Sequence, residues 1–489
     1  MRTSAALVLA VVVGCGSSPV TGEAGADSAG PGYTGSTQDA AEAGDAHSGL
    51  PDAPSGGLDG QSDAPSGAVD GGPDATPGTD ATGADAVVDA GADTTVGDAG
   101  GRGTDAATSG DSASDGSGPA PTYVVTLAGS SAFDPWEEVR HVVVDHPGLV
   151  DQTHTERTRY TDSRIVDAFG SAEPAPGHLL LHISPGCSGA EPGRVVVLVP
   201  GAGSDAQLSW ADPPWLGVGL ADTLIAEGFC VVALTFSHPF GENLNQAIAL
   251  AAAVEQVRLL TGVPEVSVVG HSKGGVVALA YVSGLAEERG APFEGDVERL
   301  VLLATPIGGT DWSFRHPAFN LPADVWGLPM PGSWDKILEW GLWTDALADS
   351  IYGPAFVGVA QLTARWDSVH PLSMVEQDWY TTYEGGWGFV SHSLGIDAAI
   401  ELGGDFMARL HEHQVPGSIA VSIGAGATPL VSGVALETTG PSDGLVFLQS
   451  ATQTDLFASP PEVEVLVPLN HWDLVASEAA HAWVHSRLP

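Results

Sequence analysis

The chain has 489 residues, room for two or three domains, and carries 61 acidic against 16 basic residues, a formal net charge of −45. Phosphate binding needs clustered Lys and Arg, so nucleic acid is not an expected partner, and anionic membrane surfaces would repel the protein. The charge mainly confers solubility.

Residues 1–15 read as an export signal: Arg2 starts it, Ala5 to Val13 is an apolar run, and Val12-Val13-Gly14-Cys15 closes it. About nine apolar residues are too few to span a bilayer. Val-Val-Gly-Cys resembles the lipobox of bacterial lipoproteins, which are cleaved before the cysteine and lipidated on it. That resemblance implies lipidation at Cys15 and a membrane partner through the lipid. With Gly16 rather than Asp next, it implies the outer membrane or cell surface of a bacterium. An ordinary secretory signal that happens to contain Cys15 is the alternative.

Residues 16–121 are Gly, Ala, Asp, Ser, Thr and Pro, with Tyr33 the only aromatic and about 18 acids against Arg102. Such a segment cannot offset the entropy of ordering its backbone and is expected to be a disordered tether with a span of roughly 55 Å. The remaining residues, 122–489, are expected to form one domain. With Cys15 lipidated, Cys187 and Cys230 remain as an even pair in an oxidising compartment. A disulfide or two buried thiols both fit.

Tyr123–Leu127, His141–Asp145, Thr153–Thr161 and His178–Ser184 read as short antiparallel strands within an N-terminal stretch, 122–190. A regular alternation follows. Arg194–Val199, Phe229–Thr235, Glu265–Val269 and Val297–Ala304 are apolar runs suited to strands buried on both faces. Between them lie helical segments at 216–227, Asn245–Leu260 (amphipathic) and Lys273–Glu288. Later come a helix at 394–413, strands at 418–423 and 462–467, and a closing helix at 472–487. This is the pattern of an α/β fold with a mostly parallel sheet flanked by helices. Residues 305–393 break it and hold eight of the thirteen tryptophans: Trp312, Trp326, Trp334, Trp340, Trp343, Trp366, Trp379 and Trp387. The stretch is too long for a plain loop and reads as a Trp-rich cap inserted over the sheet's carboxyl edge.

Gly270-His271-Ser272-Lys273-Gly274-Gly275 fits G-x-S-x-G, the strand–turn–helix elbow that exposes a nucleophilic serine. A second match, Gly440-Pro441-Ser442-Asp443-Gly444, has no strand leading in, so Ser272 is the candidate nucleophile. Its base should follow the last strand, which singles out His471 among sixteen histidines. The orienting acid should follow the penultimate strand, where Asp443 competes with Asp455 and, more weakly, Asp405. By position, the oxyanion donors are the N–H of Lys273 and, in the loop Pro200-Gly201-Ala202-Gly203, that of Ala202.

The pieces G-H-S-K-G-G, S-D-G-L-V and N-H-W-D, in this order, resemble the bacterial triacylglycerol lipases and related esterases of the α/β-hydrolase superfamily. These commonly carry G-H-S-x-G-G, N-D-G-L-V and N-H-x-D. The resemblance spans about residues 194–489 and implies the α/β-hydrolase fold with Ser272, Asp443 and His471 as a catalytic triad. The family usually has His-Gly-x where this chain has Pro-Gly-Ala. It often binds a structural calcium through the Asp two residues after the histidine, which Asp473 matches, but its partner carboxylate has no counterpart in residues 418–436. No cofactor is therefore required. The expected activity is hydrolysis of apolar carboxylic esters. Thioester hydrolysis, polyester depolymerisation and acyl transfer are open to the same triad, and an inactive surface-binding protein is the alternative of another class.

Overall fold

The computed structural model describes residues 123–213, 218–316, 330–372, 381–431, 434–435, 437 and 439–489. The export segment with Cys15, the acidic tether, Trp326 and Trp379 lie outside the described residues.

The described chain is built on a nine-stranded sheet. In chain order its strands are β1 (Val124–Phe133), β2 (Trp136–Asp145), β3 (His178–Ile183), β4 (Val195–Val199), β5 (Cys230–Phe236), β6 (Val266–His271) and β7 (Val297–Leu303). The cap contributes β8 to β11, described below, and a short hairpin contributes β13 (Leu430–Val431) and β14 (Val434–Ala435). The last two strands of the main sheet are β12 (Ala420–Gly426) and β15 (Glu462–Leu466). The spatial order is β1-β2-β3-β5-β4-β6-β7-β12-β15. The first three pairings are antiparallel, and every pairing from β5 to β15 is parallel.

The parallel strands read as unbroken apolar runs because both faces are covered. In β4, Val195, Val197 and Val199 pack into one core while Val196 and Leu198 pack into the other, and all are fully buried. The helix Asn243–Thr261 departs from the amphipathic expectation, since Asn243 through Val254 are all buried. Its outer face is covered as well. Asn243 Nδ2 donates to the Gly358 carbonyl of the cap at 3.1 Å, and Asn245 Nδ2 to the Val150 carbonyl of the N-terminal stretch at 2.8 Å. The helix expected at 216–227 is observed as Leu220–Ala226, with residues 214–217 outside the described residues.

Thr153–Thr161 is not a strand. Thr155 N is bonded to Thr158 Oγ1 and Arg157 N to Thr155 Oγ1, at 2.9 and 3.2 Å. These local side-chain bonds compete with a strand ladder and lead into a helix, Ser163–Phe169, capped by Asp162. The helix expected at 394–413 is broken by Gly403-Gly404 into Ile396–Leu402 and Phe406–Leu410. The closing helix restarts at Glu478 under a Ser477 cap. A disulfide joins Cys187 to Cys230 and ties the segment after β3 to the start of β5.

Residues 305–393 contain a separate four-stranded antiparallel sheet, order β10-β11-β8-β9, built from β8 (Lys336–Glu339), β9 (Leu342–Asp345), β10 (Gly386–Trp387) and β11 (Ser391–Ser393). The insertion has its own small core around Phe314, Ile351, Tyr352 and Tyr383. It docks on the loop after β5, where Gly358 N donates to the Phe240 carbonyl at 3.2 Å. The cap tryptophans divide: Trp312, Trp334 and Trp366 are buried, whereas Trp340, Trp343 and Trp387 are exposed.

Candidate active site

Strand β6 is buried throughout and ends at His271. Ser272 then takes φ 53° and ψ −124°, and the helix Lys273–Val282 begins at once. Positive φ in a non-glycine residue is strained and persists only where the surroundings enforce it. Here Ser272 N donates to the Leu303 carbonyl of β7 at 2.8 Å, and the Ser272 carbonyl accepts from Gly275 N at 3.0 Å. The glycines are needed for close approach. A Cβ on Gly270 would lie 2.6 Å from Gly275 Cα, and one on Gly274 would overlap the Val199 carbonyl. The loop after β4 lies against this elbow: a Cβ on Gly201 would come within 3.2 Å of Ser272 Cβ. Among the described residues, neither the Ala202 N–H nor the Lys273 N–H has an acceptor within the protein.

The other two candidates come from the loops after β12 and β15. Asp443 and His471 are both buried, and His471 Nδ1 donates to Asp443 Oδ2 at 2.8 Å. The second carboxylate oxygen, Oδ1, accepts from Leu445 N and Val446 N at 3.0 and 2.8 Å, which fixes the orientation of the carboxylate. His471 N in turn donates to the Asp443 carbonyl at 2.9 Å. A Cβ on Gly426, at the end of β12, would meet Asp443 Cβ at 2.8 Å, so the acid loop packs directly on the sheet.

The base loop is knitted internally. Asn470 Oδ1 accepts from Trp472 N and Asp473 N, and Asp473 Oδ2 accepts from Asn470 N. Asp473 thus serves the loop, and among the described residues no group of three or more His, Cys, Asp and Glu is placed to hold a metal. The described residues do not fit the calcium of the resembling family.

Sequence reasoning passed over His271. Its Nε2 lies 3.1 Å from the His471 carbonyl, and the two rings are 4.9 Å apart. That bond links the elbow to the base loop. Burial first, then the neighbouring His471, lowers the His271 pKa to about 3, so the ring is neutral and donates through Nε2. Among the described residues Ser272 Oγ makes no hydrogen bond to His471. Such bonds are often long in a substrate-free hydrolase and tighten when substrate binds.

The competing candidates lie elsewhere. Asp455 is exposed and faces His411 at 3.3 Å, Asp405 starts the helix Phe406–Leu410, and Ser442 is fully buried with Oγ toward the Glu437 carbonyl. A buried group unforeseen from the sequence joins the cap to the acid loop. Arg315 pairs with Asp311 at 2.6 Å and donates to Thr439 Oγ1 at 3.1 Å, while Tyr383 OH donates to Asp311 at 2.8 Å. Its only sequence trace is the i,i+4 spacing of Asp311 and Arg315.

Lys273 is buried to its Nζ, which donates to Gln246 Oε1. Burial pushes its pKa from 10.5 down to about 7, against a smaller upward pull from Glu242. Between pH 7 and 10.5 the unfolded chain holds the proton and the folded one does not. The cost is therefore complete below pH 7 and gone above about pH 10.5, and amounts to about 5 kcal/mol. Removing the ammonium leaves Gln246 Oε1 unpaired, a loss of roughly 1–3 kcal/mol. Lys273→Met should therefore raise the melting temperature at pH 6 and lower it slightly at pH 10. Equal shifts at both values in thermal unfolding would contradict the charge argument.

Residues 196–426 match the Alpha/beta hydrolase family. No curated protein matches the chain. Among solved structures, the mature lipase BlEst2 of Bacillus licheniformis is similar at 16% identity and a TM-score of 0.36, over 63% of this chain and 98% of that one. A soluble variant of monoglyceride lipase from Saccharomyces cerevisiae is similar at 11% identity and a TM-score of 0.36, over 71% and 97%. The parallel sheet with helices on both faces, together with the family match, identifies the α/β-hydrolase fold.

Proposed function

We propose that the protein is a serine hydrolase that cleaves carboxylic esters of apolar acyl groups. The observation that carries the reading is a serine on a strained strand-to-helix elbow, beside a loop tied to it through His271 and bearing a buried Asp443–His471 pair. His471 Nε2 takes the Ser272 proton as Oγ bonds to the ester carbonyl carbon. The N–H groups of Lys273 and Ala202 hold the oxyanion. As the tetrahedral intermediate collapses, the C–O bond breaks and His471 gives its proton to the leaving alkoxide. Water, deprotonated by His471, then attacks the acyl-enzyme carbonyl; the C–Oγ bond breaks, the carboxylic acid leaves, and His471 returns the proton to Ser272 Oγ. Asp443 keeps Nδ1 protonated throughout, which leaves Nε2 free as the base. The apolar acyl preference is supported by the tryptophan content of the cap. The same reading takes Cys15 as a lipidated N-terminus holding the enzyme at a bacterial envelope, on the strength of its sequence context.

The test is a fluorophosphonate probe on the full-length protein. Wild type should be labelled and should release p-nitrophenol from medium-chain esters, while Ser272→Ala, folded by circular dichroism, should do neither. Absence of label on folded wild type would turn the case toward a surface-binding protein.

A further inference from the structure

Gly201, Ala202 and Gly203 carry one methyl group between them, so the place of the Ala202 N–H must be set by what the loop rests on. Gly203 N donates to the Pro239 carbonyl, in the turn after β5, at 3.0 Å. A Cβ on Gly203 would lie 2.6 Å from Phe240 Cζ, so the edge of that ring sits against the loop backbone. Ala202 itself packs on an apolar cluster of Phe240 with Ala355 and Phe356 of the cap. The two phenylalanine rings are buried, with centroids 5.0 Å apart.

Phe240 is anchored in turn. Its N–H donates to His238 Nδ1 at 3.1 Å, and His238 Nε2 donates to the Thr153 carbonyl at 2.9 Å. Its carbonyl accepts from Gly358 N of the cap at 3.2 Å. A Cβ on Gly358 would overlap the Gly241 carbonyl, so the cap backbone lies directly on this turn.

We propose that Phe240 is a positioning residue for the oxyanion hole: its ring, backed by Phe356 of the cap, sets where the Ala202 N–H points. The proposal rests on the serine-hydrolase reading and deepens it, because it makes the cap part of the framework of the catalytic centre. A donor aimed at a developing charge loses most of its value once displaced, and a misplacement of about 1 Å costs on the order of 10²-fold in rate.

The test compares full-length wild type with Phe240→Leu, which withdraws the ring edge from Gly203, and with Phe356→Ala, which removes its backing. Rates are referred to the folded fraction from thermal unfolding, and either variant, folded, decides. On a medium-chain p-nitrophenyl ester kcat should fall about 10- to 100-fold, with KM within about threefold of wild type. A medium-chain trifluoromethyl ketone reports on the hole itself. Ser272 Oγ adds to its carbonyl carbon, His471 takes the hydroxyl proton, and the carbonyl oxygen becomes the oxyanion. Its inhibition constant should rise by about the factor by which kcat/KM falls. Unchanged kcat and an unchanged inhibition constant would overturn the proposal. So would a raised KM or an altered chain-length preference at constant kcat, which would make the ring a wall of the acyl pocket. An active wild type with unaffected variants defeats this proposal alone, whereas a folded wild type that hydrolyses no ester defeats the esterase reading with it.

Discussion

Asn in place of Asp443 is expected to lower kcat by about 10⁴-fold while leaving the fold intact. The carboxylate is buried, with Oδ1 taking two backbone N–H groups and Oδ2 taking Nδ1–H of His471. An amide can keep its oxygen toward the backbone donors only by turning its NH₂ toward Nδ1. The imidazole would then carry its proton on Nε2, the atom that must accept from Ser272. Rates on p-nitrophenyl esters, paired with thermal unfolding, check this. A kcat within tenfold of wild type would remove Asp443 from the role and reopen Asp455.

Acid should unfold the described domain well before its carboxylates are exhausted. His182, His238 and His271 are buried, and each has its pKa lowered from 6.5 to about 3, in every case mainly by burial. Their partners are all neutral: Thr235 Oγ1 for His182, the Thr153 carbonyl and the Phe240 N–H for His238, and the His471 carbonyl for His271. Below pH 6.5 the unfolded chain protonates these rings and the folded one does not, so stability is complete above 6.5 and falls toward pH 3. Three such groups cost about 4 kcal/mol per pH unit, against a typical total of 5–15 kcal/mol. Circular dichroism should show unfolding near pH 5, and His182→Gln should move the midpoint lower. Stability that stays flat from pH 7 to 4.5 would show that these rings protonate in the folded state.

The parallel half of the sheet was legible in the sequence because its strands are covered on both faces, and burial writes itself as unbroken runs such as Val195–Val199. The elbow was legible because close packing admits only glycine at 270 and 274. Asp443 was separable from Asp455 by resemblance more than by composition. Its defining features, two backbone donors and a buried imidazole, are contacts across distant segments. Long-range partners also explain what was missed. His271 acts on a loop 200 residues away, and the helix at 243–261 is buried on its outer side by the cap and the N-terminal stretch, which no periodicity of its own can report. Thr153–Thr161 had the alternation of a strand but spends its hydroxyls on its own backbone.

Strand β15 is the rim of the sheet: it has one neighbour, β12, and four of its five residues face solvent. His471 hangs from the segment just beyond it. Fraying at a rim takes less free energy than melting a whole domain. Warming would then detach the imidazole while the interior strands stay paired, and the upper temperature of turnover would be governed by this fringe and recover on cooling.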